Sequence, residues 1–272
     1  MAATSTEIAN LALARMGQDL IDDIDGDNVL EEKCKLLYGQ TREECLIMGP
    51  QLGWKFARRR NRISVDSHTI STFADYSGTV AGTVQCTTAT VHNLVSGDIV
   101  TISDTTSYNG DFEITLIDTT NFYFTDTWVA NDATGTAHWT SEQYLWRFPI
   151  PTALEIKSAQ VGGVELTDWV REGAYILTNM EEDEIDVAYV QNLTDTTLFP
   201  AHFTRVLYIS LAIKLVFNIL QDARLAEQLI NEFEQIVLPR AMAQDEQEQY
   251  VREKSTSWID IGRTTTTFDY YL

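Results

Sequence analysis

The chain has 272 residues, 44% of them hydrophobic, enough to bury one large core or two modest ones. Its 40 Asp and Glu against 19 Lys and Arg give a formal net charge of -21. That balance argues against general affinity for DNA, RNA or anionic membranes, because phosphate binding needs summed positive potential.

The opening reads as a helix. Thr4 followed three residues on by Glu7 has the form of a capping box. Ile8, Leu11 and Arg15 follow at helical spacing, and Gly17 is a stop signal. MAATSTEIANLALARMG lacks a basic stretch followed by an apolar core, so it is not expected to be a signal peptide. The acidic turn DDIDGD (22–27) places Asp23, Asp25 and Asp27 at alternate positions, as in a calcium loop. The closing twelfth position is Cys34 rather than Glu, so a solvated turn capping the next helix is expected and no metal.

A second helix is predicted over 28–48. Leu30, Cys34, Leu37, Thr41, Cys45 and Met48 form a continuous apolar stripe, and Gly49-Pro50 ends it. Cys34, Cys45 and Cys86 have no C-x-x-C spacing; they imply no disulfide framework and a reducing compartment, with buried packing roles.

LGWKFARRRNR (52–62) then gathers Lys55, Arg58, Arg59, Arg60 and Arg62 in one short stretch. In so acidic a chain, arginine forks facing carboxylates of a neighbouring subunit, or of this chain, are preferred over a nucleic-acid site. These five cations are the expected inter-subunit contacts.

From Ser67 the texture becomes Thr-, Ser-, Gly- and Val-rich. TVQCTTATVH, DIVTISD, FEITLID and FYFTDTWV read as short strands separated by SGD, YNGD and DTTN turns. Residues 67–140 are therefore expected to be an inserted antiparallel module, a sandwich or barrel with its own core. QYLWRFPIP, ALEIKSAQVGGVEL, AYILTN and IDVAYV are further strand candidates, with a hairpin at VGGVEL.

After Pro200, Phe203, Val206, Leu207, Ser210, Ile213, Phe217 and Leu220 form one helical stripe. The apolar run 206–220 is interrupted by Lys214 and Asn218 and is short for a membrane span. Leu225, Leu229, Phe233, Ile236 and Val237 mark another helix, which Pro239 is expected to kink or end. The stretch 240–254 is helix-prone but polar nearly all round, and the tail 255–272 carries Trp258, Ile259, Ile261 and several aromatics.

Signals for chemistry are sparse. His68, His92, His138 and His202 have no metal-ligand spacing, and no phosphate-loop, dinucleotide or nucleophile-elbow motif occurs. Glu43-Glu44 and EEDEID (181–186) are the residual candidates for an acid/base pair, against a reading as solvated charge. No enzymatic activity and no cofactor are expected.

The order of motifs carries a resemblance. EIANLALARMGQDLIDDIDGDNVLEEKCKLLYGQTREECLIMGPQLGWKFARRR resembles the start of the head-to-tail adaptor family of short-tailed bacteriophages, the tail tubular protein A-like proteins. Gly17, Asp25 to Asn28 and Trp54-Lys55-Phe56-Ala57 carry the match. YLWRFPIPTALEIKSAQVGG, EGAYILTNMEEDEIDVAYV and the Phe199-Pro200 and Phe203 segment are similar to later parts of the family. The resemblance covers about 1–66 and 141–265; the module at 67–140 departs from the family's short form and resembles a β insertion of other phage structural proteins.

The resemblance implies an α+β fold: a mainly helical, ring-forming bundle (1–66 and 141–254) with hairpin strands at 141–197, the inserted module, and an extended C-terminal arm (255–272). It implies a virion neck protein, assembled in the host bacterial cytoplasm. Such a protein docks as a ring, typically twelvefold, under the portal protein, extends the DNA channel and carries the tail nozzle protein. DNA passes without sequence-specific binding, and no membrane is involved. Trp258, Ile259, Ile261 and Arg263 are the expected portal-binding residues. Two other readings stay open: a peptidoglycan hydrolase using the paired carboxylates, and a module that binds host glycans or tail fibres through the β insertion.

Overall fold

A computed structural model describes residues 3–247. The portal-binding expectation on Trp258, Ile259, Ile261 and Arg263, and the arm 255–272 as a whole, lie outside the described residues.

The described residues form two compact units, one from 3–38 with 199–247 and the other from 39–198. The first is helical. α1 (Ser5–Met16) has the expected reciprocal cap: Thr4 Oγ1 accepts from the Glu7 N–H, and Glu7 accepts from the Thr4 N–H. Gly17 ends it in the left-handed conformation at φ 69°. α2 (Val29–Ile47) spans the boundary between the units. At its start Asn28 Oδ1 accepts from the Leu30 N–H, and Glu31 accepts from the Asn28 N–H.

α3 (Ala201–Leu215) runs into a π-turn at Val216–Leu220, and Gln221 in the left-handed conformation closes it. Asp222 then caps α4 (Ala223–Glu232), accepting from the N–H groups of Arg224 and Leu225. A second π-turn, Phe233–Val237, leads into α5 (Leu238–Gln247). Pro239 therefore does not end the helix: it is the second residue of α5, directly after the wider turn. α1, α4 and α5 pack on α3, whose Phe203, Val206, Leu207, Leu211 and Leu215 are buried. Ala201–Leu220 is long and apolar enough to cross a membrane by length and composition, and half of it is buried in the fold. In α5, Ala241 and Asp245 are buried.

The second unit overturns the mainly helical expectation. Thirteen strands form three sheets, including a closed barrel. β1 (Arg58–Ser64), β9 (Glu155–Val161), β10 (Val164–Glu165) and β13 (Glu184–Val190) make a four-stranded antiparallel sheet in the order β1-β13-β9-β10. β8 (Trp146–Pro149), β11 (Trp169–Glu172) and β12 (Tyr175–Thr178) make a second sheet in the order β11-β12-β8. The two share one core, in which Phe148 and Ile176 meet Ile156, Ala159, Ile185, Val187 and Tyr189. The segment 141–197 is thus a sandwich rather than hairpins on a bundle. The basic stretch 58–64, expected in the helical domain, joins this sandwich as a full strand.

The barrel runs β2 (Ser67–Asp75), β3 (Thr83–Thr88), β4 (Ile99–Ser103), β5 (Gly110–Leu116), β6 (Asn121–Thr125) and β7 (Thr136–Thr140), in the spatial order β2-β3-β6-β5-β4-β7. β2 closes it by pairing with β7 through Ser67–Thr69 and with β3 from Ile70 on, with an irregularity in register at Ile70/Thr72. Its interior is aromatic: Phe73 stands 4.5 Å from Tyr108 and Phe112 4.4 Å from Phe124, ring to ring.

Candidate functional site

The strand period decides what the basic stretch can do. Along β1 the side chains alternate, so Arg58, Arg60 and Arg62 share one face of the sheet while Arg59, Asn61 and Ile63 share the other. Ile63 faces the sandwich core. The opposite face is polar. Arg60 lies opposite Ala188, and Arg62 opposite Asp186. One strand further on, Ala188 lies opposite Ser158 and Asp186 opposite Gln160. The small side chains of Ser158 and Ala188 leave a groove of about 420 Å³ below the three guanidinium groups.

Arg62 is engaged. Its Nε and Nη2 donate to the two carboxylate oxygens of Asp186 at 2.9 and 3.1 Å, and Glu184 stands 3.8 Å away. The hydrogen bond from Arg62 holds the Asp186 carboxyl below the usual carboxylate range. Among the described residues, neither Arg58 nor Arg60 has an ion-pair partner. The site is therefore a groove with two uncommitted guanidinium groups along one rim, suited to carboxylates or other oxyanions.

The five expected contact residues are not all brought together. Arg58, Arg60 and Arg62 line the groove. Arg59 turns to the other face, where its Nη1 donates to the Phe56 and Arg58 carbonyls. Lys55 sits in the turn before β1. Trp54, just before Lys55, is fully buried and donates through Nε1 to the Cys45 carbonyl at 2.8 Å.

Three of the candidate acid/base carboxylates have hydrogen-bond partners. Glu43 accepts from Asn192 at 2.8 Å, Glu44 from Gln40 at 2.9 Å, and Asp186 from Arg62. No cluster of three or more His, Cys, Asp or Glu fit for a metal ion occurs among the described residues.

A second charged centre lies where the barrel meets the sandwich, and sequence reasoning missed it. Arg147 on β8 is buried. Its Nε donates to Asp66 at 2.7 Å, and its guanidinium lies 4.5 Å over the Tyr175 ring and 5.3 Å over Trp139. His68 Nε2 stands 3.1 Å from the other Asp66 oxygen. Burial opposes charge on Asp66, yet His68 and Arg147 outweigh it and hold the carboxyl below its ordinary value. His92 packs beside His68, ring centres 6.3 Å apart. Burial, and then His68, keep His92 below its ordinary value. Asp66 and Arg147 are 81 positions apart, so only the fold brings them together. This centre is enclosed and reads as a joint.

No family model matches the chain, and no curated protein matches it.

Proposed function

We propose that the chain is a virion structural protein, a head-to-tail adaptor that docks as a ring of copies beneath a portal protein, extends the DNA channel and carries the tail nozzle protein. The observation that carries this reading is the groove. A chain of net charge -21 keeps Arg58 and Arg60 on an exposed strand with no ion-pair partner among the described residues. Copies of the same chain offer an excess of carboxylates to meet them, and a strip of one sign against a surface of the other sets register between subunits. An acidic wall also suits a channel through which DNA slides without adhering.

The order of segments agrees: a Gly-stopped helix, an acidic turn, a capped second helix, Trp54-Lys55-Phe56-Ala57, and Phe199-Pro200 before a long helix. Glu43, Glu44 and Asp186, three of the carboxylates that a hydrolase could use, are engaged with Asn192, Gln40 and Arg62.

The test is the mass of the full chain by light scattering, alone and with a portal protein of a short-tailed phage. A discrete complex of many copies on the portal is expected. A chain that ignores the portal at micromolar concentration overturns the proposal.

A further inference from the structure

The four-stranded sheet has two open edges of opposite charge, and their geometry matches. β1 forms one edge and β10 the other. Neighbouring strands are antiparallel throughout, and there are four of them, so β1 and β10 run in opposite directions. A second copy placed with its β1 beside β10 therefore continues the antiparallel order without a break.

The hydrogen-bonding phase also fits. The Val65 N–H donates to Asp183 and the Gln191 N–H to Ala57, so odd-numbered residues of β1 bond inward to β13. The N–H and C=O groups of Arg60 and Arg62 therefore point to the open edge. On the far side the Leu166 N–H donates to Ala159, which leaves the N–H and C=O of Glu165 pointing outward. Glu165 lies opposite Gln160, which lies opposite Asp186, which lies opposite Arg62. The outward-bonding residues of both edges thus carry their side chains on the same face, arginine at one edge and glutamate at the other. Glu165 is exposed and has no ion-pair partner among the described residues. Val164 beside it is 72% exposed, an apolar side chain that an added strand would cover.

We propose that the β1 edge of one copy pairs with the β10 edge of the next, head to tail, with Glu165 against Arg60, so that one sheet runs on from subunit to subunit. This names the surface used in the assembly proposed above and rests on that reading. Two β1 edges cannot pair with each other without setting arginine against arginine, so the contact is heterologous and generates a ring or a filament, not a two-fold dimer.

The experiment uses the full chain carrying Arg60→Cys or Glu165→Cys, mixed under mild oxidation, alone and on the portal protein. Directly opposed residues in such a pair stand about 5.5 Å apart at Cα, within disulfide reach. The native cysteines are buried and do not compete. A disulfide-linked dimer is expected in the mixture, at least ten-fold above either variant alone. Arg60→Glu should abolish assembly, and Arg60→Glu with Glu165→Arg should restore it. Assembly on the portal without the cross-link overturns the sheet joint and leaves the adaptor reading standing. A cross-link with no portal binding supports the joint and overturns the adaptor. A chain that stays monomeric and uncross-linked overturns both, and the arginines then serve only to keep an edge strand from pairing.

Discussion

Arg147 Nε lies 2.7 Å from Asp66 Oδ2, and both side chains are buried at the meeting of the barrel and the sandwich. Removing one member of such a pair leaves the other charged and desolvated. Arg147→Met and Asp66→Asn are each expected to cost about 3–5 kcal/mol in urea denaturation. The double variant should lose clearly less than their sum. Strictly additive losses would show that the two do not act as a unit.

Acid should loosen the same region. His92 is held below its ordinary value near 6.5 by burial and then by His68, while Asp118 and Asp66 pull the other way. His138, stacked on Trp146 at 4.3 Å, is depressed by burial as well. The unfolded chain then takes protons before the folded one does, so stability falls as pH drops through the ordinary histidine range. The denaturation midpoint should be lower at about pH 5.5 than at about pH 7.5. His92→Phe should narrow that difference, and an unchanged difference assigns the effect to other groups.

Trp54 secures the end of α2. Its N–H meets the Cys45 carbonyl in the last turn, where helix carbonyls lack an internal partner. Trp54→Phe keeps the ring and removes the donor, with an expected loss of about 1–3 kcal/mol. Gly49 makes room for the ring: a Cβ there would fall 2.7 Å from Trp54 Cδ1. Gly49→Ala should therefore destabilise too, and less so in the presence of Trp54→Phe. Both are read by the shift in urea midpoint.

Two glycines with positive φ should respond differently to alanine. At Gly135, φ is 98° and a Cβ would stand 2.5 Å from the Ser103 carbonyl oxygen. At Gly17, φ is 69° and no atom lies within 4 Å of the same position. Gly17→Ala should cost roughly 1–2 kcal/mol from backbone conformation alone. Gly135→Ala should cost more, because a barrel strand must also shift. Equal thermal shifts in the two variants would contradict this.

Local signals were legible where the residue itself carries the reason. Thr4 and Glu7 state their cap, and the alternation in TVQCTT and IVTIS states a half-buried strand. RRRNRIS states nothing of the kind: only Ile63 among its side chains packs against the core, so no period shows. Its strand conformation comes from pairing with 184–190, more than a hundred residues on, and that pairing is what turns a presumed bundle into a sandwich. The groove follows the same logic. The arginines were visible, but their division between two faces, and the small residues that form the floor, appear only once register is fixed. Arg147 gave no signal, because its meaning lies in Asp66, 81 positions away, and in the rings of Tyr175 and Trp139 that the fold sets against it.

The barrel begins at Ser67 and ends at Thr140, and Ser67 pairs directly with His138. The chain thus leaves the sandwich and returns to it at neighbouring points. A closed barrel also exposes no unpaired strand edge for its host to cover. Together these make the barrel a cassette: gaining, losing or exchanging it requires no rewiring of the strands on either side. The same doorway should accept an unrelated domain whose two ends lie equally close, provided that something takes the place of the Arg147 anchor.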